Sequence, residues 1–418
     1  MNTKLNILWL SHLVPYPPKG GVLMRSYYLS RHLAEHHNVD LVAQIQPNLI
    51  SPFFPSVEEG LETSKQHLGS IFRTTIFSPM DCGNGTFNKL FLALKCLFMN
   101  TPYSVEWHNS RIFKESVENL LSERKYDLIH IDTIGLCQFI PDKETTMLAL
   151  DHHNIESSMM LRRSKKCSNF FKKAYYFLEY IKLNRYENAQ CPRSKIHITC
   201  SDPDSKQLLR RFPKCKILDI PNPVPRQSSK NQRTPSKESP KALFIGGLDW
   251  YPNTDAVQHF LDELALPLIE ANQSLTIDII GKNPNDSIVS ASKRFKNVKL
   301  HGFVPEIAPF YINSNLYICP IRDGGGTKLK VIDAMINEQA VIGYPEAFEG
   351  LDVTDGLNAI ICSSREEFLT KFTHYINDIE KILSIGQEAR RYAESVHSDD
   401  VAGKKLLEFY TANTRKDD

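Results

Sequence analysis

Three consecutive glycines, Gly324, Gly325 and Gly326, separate an apolar run closed by Pro320 from residues at helical spacing, Leu329, Ile332, Met335 and Ile336. A backbone without Cβ atoms can approach a ligand closely and turn several N–H groups toward it. Thr327 is expected to open the helix, whose positive dipole end would face the same loop, and Lys328 and Lys330 add mobile cations beside it. Residue types in that order suit an anion, a diphosphate above all. The competing reading is a flexible turn followed by a helix cap.

A second concentration of donors and acceptors, Asp151-His152-His153-Asn154, ends the apolar stretch 146–150. A histidine there can titrate near neutral pH and hydrogen-bond a substrate, although histidines at strand ends are more often satisfied structural groups. Gly20 and Gly21 follow Pro15, Pro17 and Pro18, between an apolar run at 7–10 and a helical pattern from Leu23. Taken alone, that pair is a Pro/Gly-rich loop. Asp-His-His also occurs in the metal-dependent phosphoesterases named for the triplet. Those need further aspartates in D-x-D-like spacing, and only His130 and Asp132 are on offer.

These groups need strands to hold them. Apolar runs ending in polar residues recur at 7–10, 39–43, 125–132, 146–150, 196–200, 217–220, 242–245, 275–280, 316–319 and 340–344, with helical patterns between them. Alternation of this kind predicts parallel sheets, which bind ligands outside the carboxyl ends of their strands. At 418 residues the chain has room for two such α/β domains. Its 41% hydrophobic and 23% charged residues are ordinary for a globular protein, and a formal net charge of +2 gives no bulk attraction to nucleic acid. Nine cysteines without a C-x-x-C pair read as reduced thiols, hence a cytoplasmic location. The apolar start is read as a first strand, not a signal peptide, and no run reaches the roughly 20 residues of a spanning helix.

Two phosphate loops are excluded by spacing. Thr327 precedes Lys328 where a P-loop needs the reverse order, and Leu329 stands where a dinucleotide fingerprint needs its third glycine. The stretch from Pro320 to Met335, followed by Glu349-Gly350-Leu351, instead resembles the P-x-x-x-G-G-G-T-[RK]-L-K-[VI]-[LI]-[ED]-A-M signature of a subgroup of the family-4 retaining glycosyltransferases (glycosyl transferases group 1). That resemblance implies the GT-B fold, two Rossmann-like domains facing across a cleft. It implies an N-terminal acceptor domain at 1–223, a linker at 224–240, a nucleotide-sugar domain at 241–396, and a terminal helix at 397–418 returning to the first domain.

The activity implied is transfer of a sugar from a nucleotide diphosphate donor to an acceptor hydroxyl with retention, in bacterial cell-surface polysaccharide or glycolipid synthesis. Neither a metal nor a cofactor is implied. His153, in a D-x-H-N segment, would be the catalytic residue facing the donor sugar. Donor binding would fall to Gly20, Gly21, Lys282, Gly324, Gly325, Gly326, Thr327, Lys328 and Asp333. The sequence departs from the family by lacking the Arg/Lys pair that neutralises the diphosphate and by placing Gly325 where a first glutamate is usual. Those departures leave open a non-catalytic nucleotide-sugar-binding subunit, and an epimerase of the same fold is a further alternative. The acceptor would be a sugar or a lipid-linked sugar. Residues 161–185, with eight Lys or Arg against Glu179 and with interleaved aromatics, suit an anionic membrane surface, and 86–99 offers a second contact. The alternative for both is a solvated helix with its aromatics packed inward.

Overall fold

The structure, a computed structural model, describes residues 4–82, 85–167, 169–225, 233–323 and 327–414. The chain divides into two compact units, Met1–Pro223 with Asp399–Asp418, and Val224–Ser398. The first is built on strands β1 (Asn6–Ser11), β2 (Asn38–Ile45), β3 (Thr74–Pro79), β4 (Leu128–Ile131), β5 (Met147–His152), β6 (Ile196–Thr199) and β7 (Lys216–Asp219). They pair in the order β3-β2-β1-β4-β5-β6-β7, all parallel. Central strands such as β1 are buried on both faces, Ile7–Leu10 completely, which is why they read as unbroken apolar runs.

Strand order reverses between β1 and β4, where Leu10 stands opposite Ile131. The helix Gly21–His36 follows β1 and packs against the helix Asp399–Thr414, which belongs to this first unit. Ala402, Leu406 and Tyr410 of that second helix enter the same core as Trp9, Tyr28, Leu29 and Leu33. Tyr410 Oη lies 2.6 Å from His130 Nδ1 on β4, and the His130 ring stacks on Trp9 at 3.4 Å between centroids.

The second unit carries β8 (Lys241–Ile245), β9 (Thr276–Ile280), β10 (Val298–Gly302), β11 (Leu316–Cys319), β12 (Ala340–Gly343) and β13 (Ile360–Ile361). Their order is β10-β9-β8-β11-β12-β13, again parallel, with the reversal between β8 and β11. The polar stretch expected as a linker needs correcting in its described part. Arg233 is buried and donates to the carbonyls of Glu338, Ser314 and Asn315, and Thr234 N donates to Ile312 O at 2.8 Å. Residues 233–240 are therefore fixed on the second unit; residues 226–232 lie outside the described residues.

Candidate functional site

In the first unit the reversal of strand order gathers side chains from three strand ends. Ser11 closes β1 and His12 follows it, Asp132 follows β4, and His153 follows β5. Asp132 is wholly buried, and its Oδ2 accepts from Ser26 Oγ at 2.7 Å and Ser11 Oγ at 3.1 Å. The same oxygen lies 3.0 Å from His12 Nδ1, while Oδ1 lies 3.0 Å from His153 Nε2. Burial alone would raise this carboxyl, but the charges and hydrogen bonds of His153 and His12 hold it well below the usual carboxylate range. Burial likewise works against protonation of His153, and Asp132 overrides it, so the imidazole pKa rises. His153 keeps 16% of its side chain exposed.

The neighbouring histidine is a different kind of group. His152 is buried with Nε2 2.9 Å from His197 Nδ1, and burial followed by the charge of His197 pushes it well below the usual imidazole range. Of the Asp151-His152-His153 triplet, Asp151 is also structural. It takes a two-pronged ion pair from buried Arg25, Nε to Oδ2 and Nη2 to Oδ1, each 2.8 Å. Arg25 Nη1 goes on to Ile220 O at 2.7 Å, so the helix that begins at Gly21 is fixed to the ends of β5 and β7. Gly20 precedes that helix at φ +115°, a left-handed backbone that favours glycine, and Gly21 is its first residue.

In the sequence, His130 and Asp132 fall short of the ligand set a metal-dependent phosphoesterase needs. The structure separates them in role, since His130 is committed to Tyr410 and burial lowers its pKa to about 4. It adds a residue that sequence reading passed over, because His12, Asp132 and His153 place one ligand atom each within 4.8 Å of one another. Both oxygens of Asp132 already serve hydroxyls and imidazoles, which fits a carboxylate that orients histidines. Two further such groups among the described residues, His152 with Cys191 and His197, and His130 with Asp132 and Asp151, are buried throughout. Glu156 is a further acid whose charge His12 feels; burial raises its pKa, and it accepts from Ser104 Oγ at 2.8 Å and Thr133 Oγ1 at 3.2 Å.

In the second unit the glycine loop leaves β11 beside the end of β8, where strand order reverses. Gly324, Gly325 and Gly326 lie outside the described residues. Their flanks differ from expectation in three ways. The helix is Leu329–Ile336 with Lys328 at its N-cap position, so Thr327 does not open it. Thr327 packs instead on Gly350, where a Cβ would meet its Oγ1 at 2.7 Å and where φ is +78°. Lys328 is not an exposed cation waiting for a ligand, because 9% of its side chain is exposed and its Nζ pairs with Glu349 Oε2 at 3.4 Å.

Lys330 is not mobile either. Its Nζ donates to Asn253 Oδ1 and lies 5.0 Å from the centroid of the Phe244 ring, and burial lowers its pKa to about 8. A Cβ on Gly246, just past β8, would stand 3.1 Å from that Nζ and 2.8 Å from Asn253 Nδ2, so bare backbone is what lets them close on the strand end. Asp333 Oδ2 accepts from Tyr311 Oη at 2.7 Å, and burial raises its pKa. Lys282 follows β9 and Gly281 with its side chain exposed, and its carbonyl accepts from Leu248 N at 3.0 Å.

The family described as Glycosyl transferases group 1 matches residues 239–378, all within this second unit. An uncharacterized 44.6 kDa protein in the cps region of Klebsiella pneumoniae is 22% identical over 401 residues, covering 92% of this chain and 94% of its own. Sucrose-phosphate synthase from Thermosynechococcus elongatus superposes with a TM-score of 0.66 at 14% identity, covering 97% of this chain and 98% of its own. A TarM variant from S. aureus, solved with fondaparinux, alpha-GlcNAc-glycerol and UDP, gives 0.64 at 12% identity, with 97% and 99% covered. Anabaena HepE in complex with UDP and glucose gives 0.59 at 13%, with 98% and 100% covered. The chain thus has an α/β fold of two parallel sheets consistent with the two-domain GT-B glycosyltransferases, and its second unit contains a glycosyl transferases group 1 domain.

Proposed function

We propose that this chain transfers a sugar from a nucleoside diphosphate donor to an acceptor hydroxyl, with retention at the anomeric carbon and without a metal. The observation that carries the reading is the half-buried cation Lys330 at the root of the glycine loop, paired with Asn253, in the unit matched by the glycosyl transferases group 1 family. A desolvated ammonium with an amide partner is a preorganised complement to the charge that develops on a departing diphosphate. Gly324, Gly325 and Gly326 would supply N–H groups, with Thr327 and Lys328 shaping the loop's far side and Lys282 adding an exposed cation. Asp333, with one oxygen taken by Tyr311, would offer the other to the ribose hydroxyls. Gly20 and Gly21 would bring bare backbone to the donor. His153, oriented by its hydrogen bond to Asp132, would hydrogen-bond a sugar hydroxyl and orient the anomeric carbon. TarM and HepE are named as holding UDP, which makes UDP-sugars the first donors to try. The K. pneumoniae relative's cps region points to a polysaccharide or glycolipid product, and nine free thiols suit the cytoplasm.

Thermal stability should be screened against UDP-, GDP-, ADP- and dTDP-sugars, since a ligand at about 100 times its Kd stabilises by ~2.7 kcal/mol. The stabilising donor is then incubated without acceptor, and slow release of nucleoside diphosphate is expected. No stabilisation by any donor would overturn the reading. The pairing of Lys328 with Glu349 favours one other reading, a binding subunit without turnover, which would show stabilisation and no release.

A further inference from the structure

The helix Thr86–Leu97, TFNKLFLALKCL, lies in the first unit and carries no acidic residue. Leu92 and Cys96 face inward and are buried. Lys182, on the helix Phe170–Gln190, donates its Nζ to Cys96 O and holds the C-terminal end in place. The opposite side is not covered by protein. Phe87, Leu90, Phe91, Leu94 and Phe98 are 81%, 59%, 64%, 52% and 94% exposed. Their spacing puts them in one stripe along a helix. Five large apolar side chains turned together to water are unlike the scattered apolar residues of an ordinary surface.

We propose that this stripe inserts into the surface of an anionic lipid bilayer. Three features select that occupant. Phe170 and Phe171 open the helix that Lys182 ties to the stripe, and they are 75% and 81% exposed. The cation Lys95 flanks the stripe, and Lys172, Lys173, Arg162 and Lys165 are exposed on the paired helices Glu156–Lys166 and Phe170–Gln190. Within a chain of net charge +2 this is a local excess of positive charge, complementary to acidic headgroups. A second copy would bring the same cations face to face, which disfavours self-association. Among the described residues no helix is long and apolar enough to cross a membrane. The stripe would therefore lie in the plane of the interface, its phenylalanines reaching about 5–10 Å into the acyl boundary. Nothing in this depends on the transfer reaction.

The test is flotation of the full chain with vesicles of phosphatidylcholine alone and of phosphatidylcholine mixed with phosphatidylglycerol. Binding to the mixed vesicles is expected, weaker in high salt. The double variant Phe87→Ser/Phe91→Ser should lose roughly tenfold or more of its vesicle partitioning, while its melting curve is unchanged because both side chains stand in water. Lys172→Glu/Lys173→Glu should lose binding to the mixed vesicles by a similar factor. Failure to float with mixed vesicles, or flotation indifferent to the serine pair, overturns the proposal. So does a concentration-dependent dimer abolished by that pair, which would give the stripe to a second copy.

Discussion

Replacing Lys330 with methionine separates a binding group from a structural one, because the two roles predict opposite signs. Burial lowers this lysine's pKa to about 8 from an ordinary 10.5. That difference corresponds to about 3 kcal/mol of unfavourable burial at neutral pH. Methionine has a similar length and removes the charge that stands over the Phe244 ring. Against the gain stands the Asn253 oxygen, which loses its donor at a cost of about 1–2 kcal/mol. The variant should therefore be more stable by about 1–2 kcal/mol at pH 7, seen as a higher urea midpoint with unchanged slope. Donor nucleotide binding should weaken by about tenfold to a hundredfold, the value of one charge-assisted hydrogen bond to phosphate. The pH dependence follows the same sign. Between about 8 and 10.5 the folded lysine has lost its proton and the unfolded one has not, so wild-type stability rises with pH across that window. Donor affinity should fall across it, and the methionine variant should show neither trend. A variant that is less stable and binds nucleotide as before would refute the argument and leave Lys330 a packing residue.

His153→Ala should lower kcat by roughly tenfold to a hundredfold with nucleotide affinity unchanged, because the imidazole meets the sugar and not the diphosphate. His152→Ala should do the reverse, losing about 1–3 kcal/mol of stability through the lost contact with His197, while the folded fraction keeps its turnover. Asp132→Asn should move the His153 limb of the pH–rate profile to lower pH. It should also flatten the acid side of the stability curve, since the native carboxylate's depressed pKa adds stability at neutral pH that is lost as pH falls from about 4 toward its folded value. At Gly20 an added Cβ meets no heavy atom within 4 Å, yet φ is +115°, so Gly20→Ala should cost about 1 kcal/mol or more by calorimetry from backbone strain alone.

Buried parallel strands are the easiest elements to read, and β1, β5, β8, β9 and β11 appear in the sequence as apolar runs because both faces are covered. Two of the edge strands are a different case. β3, TTIFSP, is only partly buried, and β13 has two residues, so neither leaves such a run. At the candidate sites, residue types were legible and partnerships were not. Asp132 meets His12 across 120 residues, a pairing that exists only once β1 and β4 are neighbours. Lys328 and Lys330 look equivalent in the sequence. The helix begins between them, which turns one toward Glu349 and the other toward Asn253 and Gly246. Arg25 looks no different in the sequence from Arg31 on the same helix, and only the fold reveals Asp151 as its partner.

The contact between Tyr410 and His130 sets an order on biosynthesis. The first unit is assembled from two stretches with the entire second unit between them. When residue 223 leaves the ribosome, seven strands are present, but Ala402, Leu406 and Tyr410, which complete the core around Trp9 and Leu33, do not yet exist. At about 5–20 residues per second, the chain needs on the order of ten seconds or more to supply them. During that interval the apolar face of the helix Gly21–His36 is open to water, to chaperones and to other nascent chains. The second unit, continuous in sequence, has no such wait, so it can finish folding while the first is still incomplete.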